Sequence, residues 1–562
     1  MSEKFEKYIK PYLIALSIIL ILLGVWLRFR EVFQNDFVFY DEGYYINDDR
    51  RQFVEVVQRM HPHSLKEILA ILYGDLRISL ASGKALWIFL INTRVIFNMG
   101  QDWFFSRVIS ATFGSLTILA TYFFARRYFN SQKIGILSAL ILAIFPSHVF
   151  YSRLGMQEAL STFCFLLGFY FYFFPRQLSW RTFLSSFFFM LAYFTNYRLV
   201  VIPILVGFCE LYTFLSFKKF PDLRKYMWNT LGFLLLIFGV GSIDKGQHLT
   251  VILPWMWHQA HLAGKEPFHG VNLLSYFYFT FRLESIFFGL LFWGNIYHVV
   301  KKRWYVLYPF FQVCFQMLLF SFPEEKGARY VAVVYPFMAM AVGALIIQLF
   351  EERKNILARG AIAVCTVLLF FTLTAKSWAL AHAKSNYREA MTYLTRIDKK
   401  VKLVSSQKWV MDLYTNYPDN VHDLPHTFEQ MVTIFSFGYR YLVIDPQAYI
   451  SWGRGGERFN PELDNYLDYV VNGVRPIKVF PNFNDVLLER FVLEHNQNLL
   501  QSIRFLKLAK EQGFGQIRIY DMTKPIETLL KLMILKSGQL DNSQAGQAQS
   551  DNLESSRLLK TP

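Results

Sequence analysis

Long uninterrupted apolar stretches alternate with short polar breaks over the first two thirds of the chain. The hydrocarbon core of a bilayer takes roughly 17 to 25 apolar residues in a helix, and about eleven stretches of that kind occur, over 12–27, 104–125, 134–150, 159–174, 182–195, 199–216, 228–243, 283–300, 305–322, 330–350 and 361–378. Each predicts a membrane-spanning helix, with 182–195 short enough to be re-entrant. Two polar-rich intervals, 28–103 and 244–275, are longer than a turn requires. Within the first, the apolar pieces Gln52 to Met60 and Ala85 to Phe97 are too short or too interrupted to cross, and read as helices lying along the membrane surface. From about 381 the apolar density falls and the period changes. A helical pattern over Asn386 to Ile397 and strand-like runs over Val401–Ser405, Tyr441–Asp445 and Gln516–Tyr520 predict a small α/β domain over 381–536. The Gln-, Ser-, Asn- and Ala-rich stretch 537–562 has too little apolar side chain to build a core and predicts a disordered tail. No internal repeat is visible.

Composition agrees with this division. Of 562 residues, 54% are hydrophobic and 58 are Phe, more apolar side chain than one soluble core needs, so the chain is a polytopic membrane protein. A net charge of +16 would suit nucleic acid only if it were gathered in one patch. Instead it is parcelled out: Lys4, Lys7 and Lys10, then Arg126, Arg127 and Lys133, Arg176 and Arg181, Lys218, Lys219, Arg224 and Lys225, Lys301, Lys302 and Arg303, and Arg353, Lys354 and Arg359 fall in every second loop. That is the positive-inside pattern, and it excludes nucleic acid as the reason for the charge. It puts the N-terminus in the cytoplasm, and an odd number of spans puts residues 381–536 outside. The first run has no small-residue cleavage site and reads as an uncleaved anchor. Cys164, Cys209, Cys314 and Cys365 all lie inside apolar runs, where packing is their expected role and neither a disulfide framework nor a thiolate metal site is expected.

Among residues on the outer side, acids and bases gather: Asp41 and Glu42, Lys84, Arg153 and Glu158, then Glu324, Glu325, Lys326, Arg329 and Tyr330. A carboxylate just outside the bilayer can take a proton from a water-borne acceptor while a lipid-carried substrate lies beside it, and cations can stabilise a departing phosphate. Each residue also has a plainer reading. Asp41 can be a solvated loop acid, Lys84 can reach up to lipid headgroups, Glu158 can favour a helix N-terminus, and Arg329 with Tyr330 can anchor at the interface.

The ordered blocks Tyr40-Asp41-Glu42-Gly43-Tyr44-Tyr45, Ser82-Gly83-Lys84-Ala85-Leu86, Trp103 to Arg107 leading into Ser110-Ala111-Thr112-Phe113-Gly114, Pro146 through Tyr151-Ser152-Arg153 to Glu158, and Lys326-Gly327-Ala328-Arg329-Tyr330 before Pro336 resemble the protein O-mannosyltransferase and lipid A aminoarabinose transferase branch of the GT-C glycosyltransferases. The resemblance covers roughly residues 10 to 350. Ala85 stands where the family usually has proline, and Glu158 where it often has aspartate. The resemblance implies a GT-C fold and an inverting transferase that uses a polyprenyl-phosphate sugar. In it Asp41 is the base, Lys84 and Arg329 lie near the lipid phosphate, and Glu42, Arg153, Glu158 and Tyr330 contact substrate. A protein, lipid or glycan would be the acceptor, on the outer face of the cell or inner membrane. The Trp-Trp-Asp motif of oligosaccharyltransferases is absent, Ser451-Trp452-Gly453-Arg454 being a poor substitute, which argues against transfer of a whole oligosaccharide to asparagine.

No cofactor is implied. His258 and His261, with Glu266 and His269 nearby, have a spacing that can bind zinc, as does His61-Pro62-His63 in the other large outer loop, but Trp255 and Trp257 beside the pair make aromatic-belt packing the better reading and no metal is expected. The alternative from another class is a transporter or flippase of a lipid-linked glycan. Transporters place ionisable groups near the midplane, in repeated halves, whereas here Glu210 is among the few acids deep in a run.

Overall fold

In the computed structural model the described residues are 3–32, 42–43, 57, 64–80, 83–96, 104–174, 180–218, 222–244, 250, 273–322, 327–425, 427–445, 467, 469–481, 484–494, 499–512 and 515–523. They fall into two compact units: one holds Met1–Ser385 and Asn482–Gly515, the other Asn386–Trp452, Glu457–Pro481 and Gln516 onward.

In the first unit every one of the eleven apolar runs is helical, because in hydrocarbon a chain has no water to satisfy its amides and must bond them internally. Among the described residues four helices are long and apolar enough to cross a membrane: Phe105–Tyr128, Tyr197–Phe217, Ala328–Glu352 and Ile356–Ala381. A bent pair, Gln132–Ala143 with Pro146–Arg153, makes a fifth, its halves meeting at 56°. Pro146 explains the break: it has no N–H for the helix before it, and its fixed φ suits the first turn of the helix after it. The carbonyls left at the end of Gln132–Ala143 are taken up by Arg28, whose Nη1 donates to Ala143 O at 2.7 Å and Nη2 to Leu142 O at 3.0 Å. Helix Glu3–Phe29 can come this close because Gly24 faces the same place; a Cβ there would lie 2.6 Å from Ala143 O. The helix ending at Glu352 is the centre of the unit, with 94% of its apolar window buried, whereas Ile356–Ala381 is peripheral, with 11%.

Helix Leu65–Ser79 starts at a capping box, Ser64 Oγ accepting from Glu67 N–H at 3.2 Å and Glu67 Oε2 from Ser64 N–H at 3.3 Å. It is tied to helix Ala85–Ile96 by Asn92 Nδ2, which donates to buried Asp75 at 2.9 Å. The stretch read over Ala85 to Phe97 is helical over Ala85–Ile96; most of that read over Gln52 to Met60 lies outside the described residues.

The second unit carries a five-stranded sheet built from β1 (Leu403–Ser405), β2 (Val421–Asp423), β3 (Tyr441–Ile444), β4 (Lys478–Pro481) and β5 (Gln516–Asp521), in the order β2-β1-β3-β5-β4. β1 runs parallel to β2 and β3, with Leu403 opposite Val421 and Tyr441; β5 runs antiparallel to β3 and β4. Helix Phe428–Ser436 lays Phe428, Met431, Ile434 and Phe435 on Val404, Leu442 and Ile444. β2 and β4 carry too few apolar residues to announce themselves. Residues 482–515, which falling hydropathy assigns to the C-terminal domain, fold with the first unit instead. Helix Asp485–Glu494 explains this: everything from Leu487 to Glu494 is buried, which its apolar positions alone do not foretell.

Candidate active site

Lys84 is the residue before helix Ala85–Ile96, and the chain reaches it through Gly83, whose φ of +72° is open to glycine at little cost and strained for other residues. Gly83 O accepts the Tyr197 N–H at 3.1 Å. This joins the Lys84 segment to the tight turn Tyr197–Val201, which Asn196 opens by accepting the Arg198 N–H at 3.3 Å. Arg329 comes from a third element, the 3₁₀ helix Ala328–Val334 that feeds the central helix Tyr335–Glu352. Glu158 opens helix Glu158–Phe173 and is almost wholly buried.

These four elements converge. Arg329, Lys84 and Arg198 all act electrostatically on the Glu158 carboxylate. Its Oε1 accepts from the Gln157 amide at 3.3 Å, while Oε2 has no hydrogen-bond partner among the described residues. Tyr330 is sandwiched by charge, its ring 4.1 Å from the Arg198 guanidinium and 5.4 Å from that of Arg329. The structure thus brings together Lys84, Glu158, Arg329 and Tyr330, and adds Arg198. The signal for Arg198 is a lone arginine in a very short turn between two apolar runs, easily absorbed into either.

Asp41 lies outside the described residues, as do Glu324, Glu325, Lys326 and the histidines His61, His63, His258, His261 and His269. Its neighbour Glu42 is fully buried. Arg107 grips it with two bonds, Nε to Oε1 at 2.6 Å and Nη2 to Oε2 at 3.1 Å, and the Gly155 N–H adds a third at 2.6 Å. A Cβ on Gly155 would lie 2.4 Å from Ser106 Oγ and 3.0 Å from Glu42 Oε1, so the grip needs glycine there. Three protein donors on one buried carboxylate give Glu42 a scaffold role. Its effect is to fix the main chain next to Asp41.

Arg153 is likewise engaged by the protein. Its Nη1 donates to Leu27 O at 2.5 Å and Arg30 O at 2.9 Å, and Nη2 to Ala381 O at 3.0 Å. The last carbonyls of a helix have no partners within it, and Arg153 supplies them at the ends of Glu3–Phe29 and Ile356–Ala381. These bonds clamp the helix ends together.

No family model matches the sequence. An uncharacterized protein of Aquifex aeolicus is 27% identical over 281 residues, 48% of this chain and 53% of that protein, so the chain spans about half the length of this relative. Solved structures match more widely. The apo oligosaccharyltransferase of Archaeoglobus fulgidus aligns with a TM-score of 0.51 at 10% identity, over 77% of this chain and 69% of its own. Apo ArnT of Cupriavidus metallidurans aligns with a TM-score of 0.50 at 14% identity, over 84% of this chain and 96% of its own. The chain has the GT-C fold. Within this GT-C unit, the cluster of Lys84, Arg198 and Arg329 around Glu158 is the leading candidate for the site of chemistry.

Proposed function

We propose that the chain is an inverting glycosyltransferase that moves a single sugar from a polyprenyl-phosphate donor to an acceptor on the extracytoplasmic face. The observation that carries this reading is the convergence of Lys84, Arg198 and Arg329 on Glu158 in a GT-C fold. As the bond between sugar and phosphate breaks, negative charge grows on the phosphate, and pre-placed N–H donors stabilise it most where water is scarce. Cations outnumber the carboxylate three to one among the described residues of the cluster. Glu158 offsets part of the repulsion among them, and its Oε2 is an acceptor suited to a sugar hydroxyl. Tyr330 packs its ring against the Arg198 and Arg329 guanidiniums and holds them side by side. Asp41, carried beside the anchored Glu42, is the proposed base: it takes the proton from the acceptor hydroxyl while that oxygen attacks the anomeric carbon, and the lipid phosphate departs from the opposite side. One such displacement inverts the anomeric configuration.

This reading includes eleven spans, a cytoplasmic N-terminus and a C-terminal domain on the side of the site. The transporter reading is weakened by Glu210. That acid accepts from Tyr172 Oη at 2.5 Å and from the Asp222 N–H at 3.0 Å, with Lys225 Nζ 3.5 Å away. It ties helices together near a basic loop, and no translocation role is needed to explain it.

The test is mass spectrometry of lipid bound to the purified protein, followed by incubation with a polyprenyl-phosphate sugar. Copurifying polyprenyl phosphate and a product of inverted configuration support the reading. Passage of an intact lipid-linked glycan across proteoliposomes, with no sugar released from it, would establish the transporter instead.

A further inference from the structure

Helix Asp485–Glu494 contributes no residue to the cluster, yet it touches the segment that carries Arg329. Glu494 is fully buried. Its Oε1 accepts from the Tyr151 hydroxyl, its Oε2 accepts the main-chain N–H of Arg329 at 3.3 Å, and Arg490 Nη1, on the same helix, lies 3.8 Å from Oε1. The contact is close: a Cβ on Gly327 would stand 3.2 Å from Glu494 O and 3.4 Å from its Oε2. The carbonyls on the near side of Arg329 are held too, Tyr335 Oη donating to Ala328 O at 2.6 Å and Tyr276 Oη to Gly327 O at 3.4 Å. The helix itself is pinned by Arg490, which donates to Ser147 Oγ at 3.0 Å, while Glu284 accepts from the N–H and hydroxyl of that serine.

We propose that Glu494, hydrogen-bonded between the Tyr151 hydroxyl and the Arg329 main-chain amide, is a positioning residue that presents the Arg329 guanidinium to the donor phosphate. It rests on the reading that this phosphate binds at the Lys84–Arg198–Arg329 cluster. The physical need is plain: an arginine has a long flexible stem, and a turn left to move would spend binding energy on being ordered each time a donor enters. Burial pushes the Glu494 carboxyl up to about 8, so near neutrality it holds a proton much of the time. In the ionised form Oε1 accepts from the Tyr151 hydroxyl; in the protonated form the carboxyl O–H donates to the Tyr151 oxygen instead, and in both Oε2 accepts from the Arg329 N–H. A glutamine reproduces both contacts; an alanine makes neither.

The experiment measures polyprenyl phosphate affinity of the full-length protein in nanodiscs for Glu494→Gln, Glu494→Ala, Tyr151→Phe, Arg329→Ala and the Glu494→Ala/Arg329→Ala pair. Glu494→Gln should stay within about 2-fold of the parent and Glu494→Ala should weaken binding about 10-fold. In the Arg329→Ala background Glu494→Ala should change nothing further. If Glu494→Ala does not fold, Tyr151→Phe takes its place and should weaken binding several-fold, with the same loss of effect once Arg329 is gone. Parental affinity in both Glu494→Ala and Tyr151→Phe, beside weakened Arg329→Ala, overturns the positioning role and leaves the phosphate reading standing. An equal loss with and without Arg329 overturns it as well, since Glu494 would then act elsewhere. Parental affinity in Arg329→Ala removes the object of the positioning, and there the phosphate reading of Arg329 is what fails.

Discussion

Glu42 and Asp41 are adjacent acids with opposite assignments, and substitutions should separate them. Glu42 shares a fully buried ion pair with Arg107, and removing one partner strands a charge, at a cost of roughly 3 to 5 kcal/mol. Arg107→Ala should therefore lower the thermal unfolding temperature markedly in detergent; an unchanged melt would contradict the scaffold role. Asp41→Asn should fold and bind donor normally yet transfer sugar at least about 100-fold more slowly, the scale of general-base catalysis. Near-parental turnover would move the search for the base elsewhere. Much of the site is legible residue by residue. Lys84, Glu158, Arg329 and Tyr330 stand out because ionisable side chains at the outer ends of apolar runs need a reason to be there. Arg153 stands out for the same reason, but its main-chain partners do not show in sequence, since nothing there marks a row of helix-end carbonyls as the partner of a guanidinium. The scaffold role of Glu42 is not legible in sequence because its partner Arg107 lies 65 positions away.

At the scale of elements, the apolar runs are legible as helices because only a helix satisfies a backbone in hydrocarbon, but of the eleven expected spans only four, or five with the bent pair, are long and apolar enough to cross among the described residues, and the break at Pro146 shows as a boundary only once Arg28 is seen capping it. Helix Asp485–Glu494 is the opposite case. Its charged residues make it look soluble, and the partners that bury Glu489, Arg490 and Glu494 come from distant segments. That burial has a measurable consequence. The Glu494 carboxyl is raised from an unfolded value of 4.5 to about 8, so the folded state binds this proton more tightly. Its contribution to stability is complete below about pH 4.5 and is lost as pH rises through about 8. Across that window the melting temperature of the parent should fall relative to Glu494→Gln, which cannot titrate. A difference that stays constant from pH 5 to 8 would show that Glu494 is not buried as a neutral acid.

For the whole molecule, orientation decides whether the site meets extracytoplasmic acceptors. The proposed topology, drawn from the alternation of basic loops, has Arg126, Arg127, Arg303 and Arg353 on one side and Lys84, Glu158, Arg198 and Arg329 on the other. Ser436, exposed at the end of helix Phe428–Ser436 in the second unit, offers a reporter. In a variant lacking Cys164, Cys209, Cys314 and Cys365, Ser436→Cys should react with a membrane-impermeant thiol reagent in intact cells, and labelling only after lysis would invert the topology. The central claim, a donor-phosphate site made by cations from three separate elements, is tested most directly by the affinity of purified Lys84→Ala, Arg198→Ala and Arg329→Ala proteins for polyprenyl phosphate. Charge-assisted bonds of about 1.5 to 3 kcal/mol each predict that every one of the three weakens binding by roughly 10-fold or more; parental affinity in all three would contradict the account.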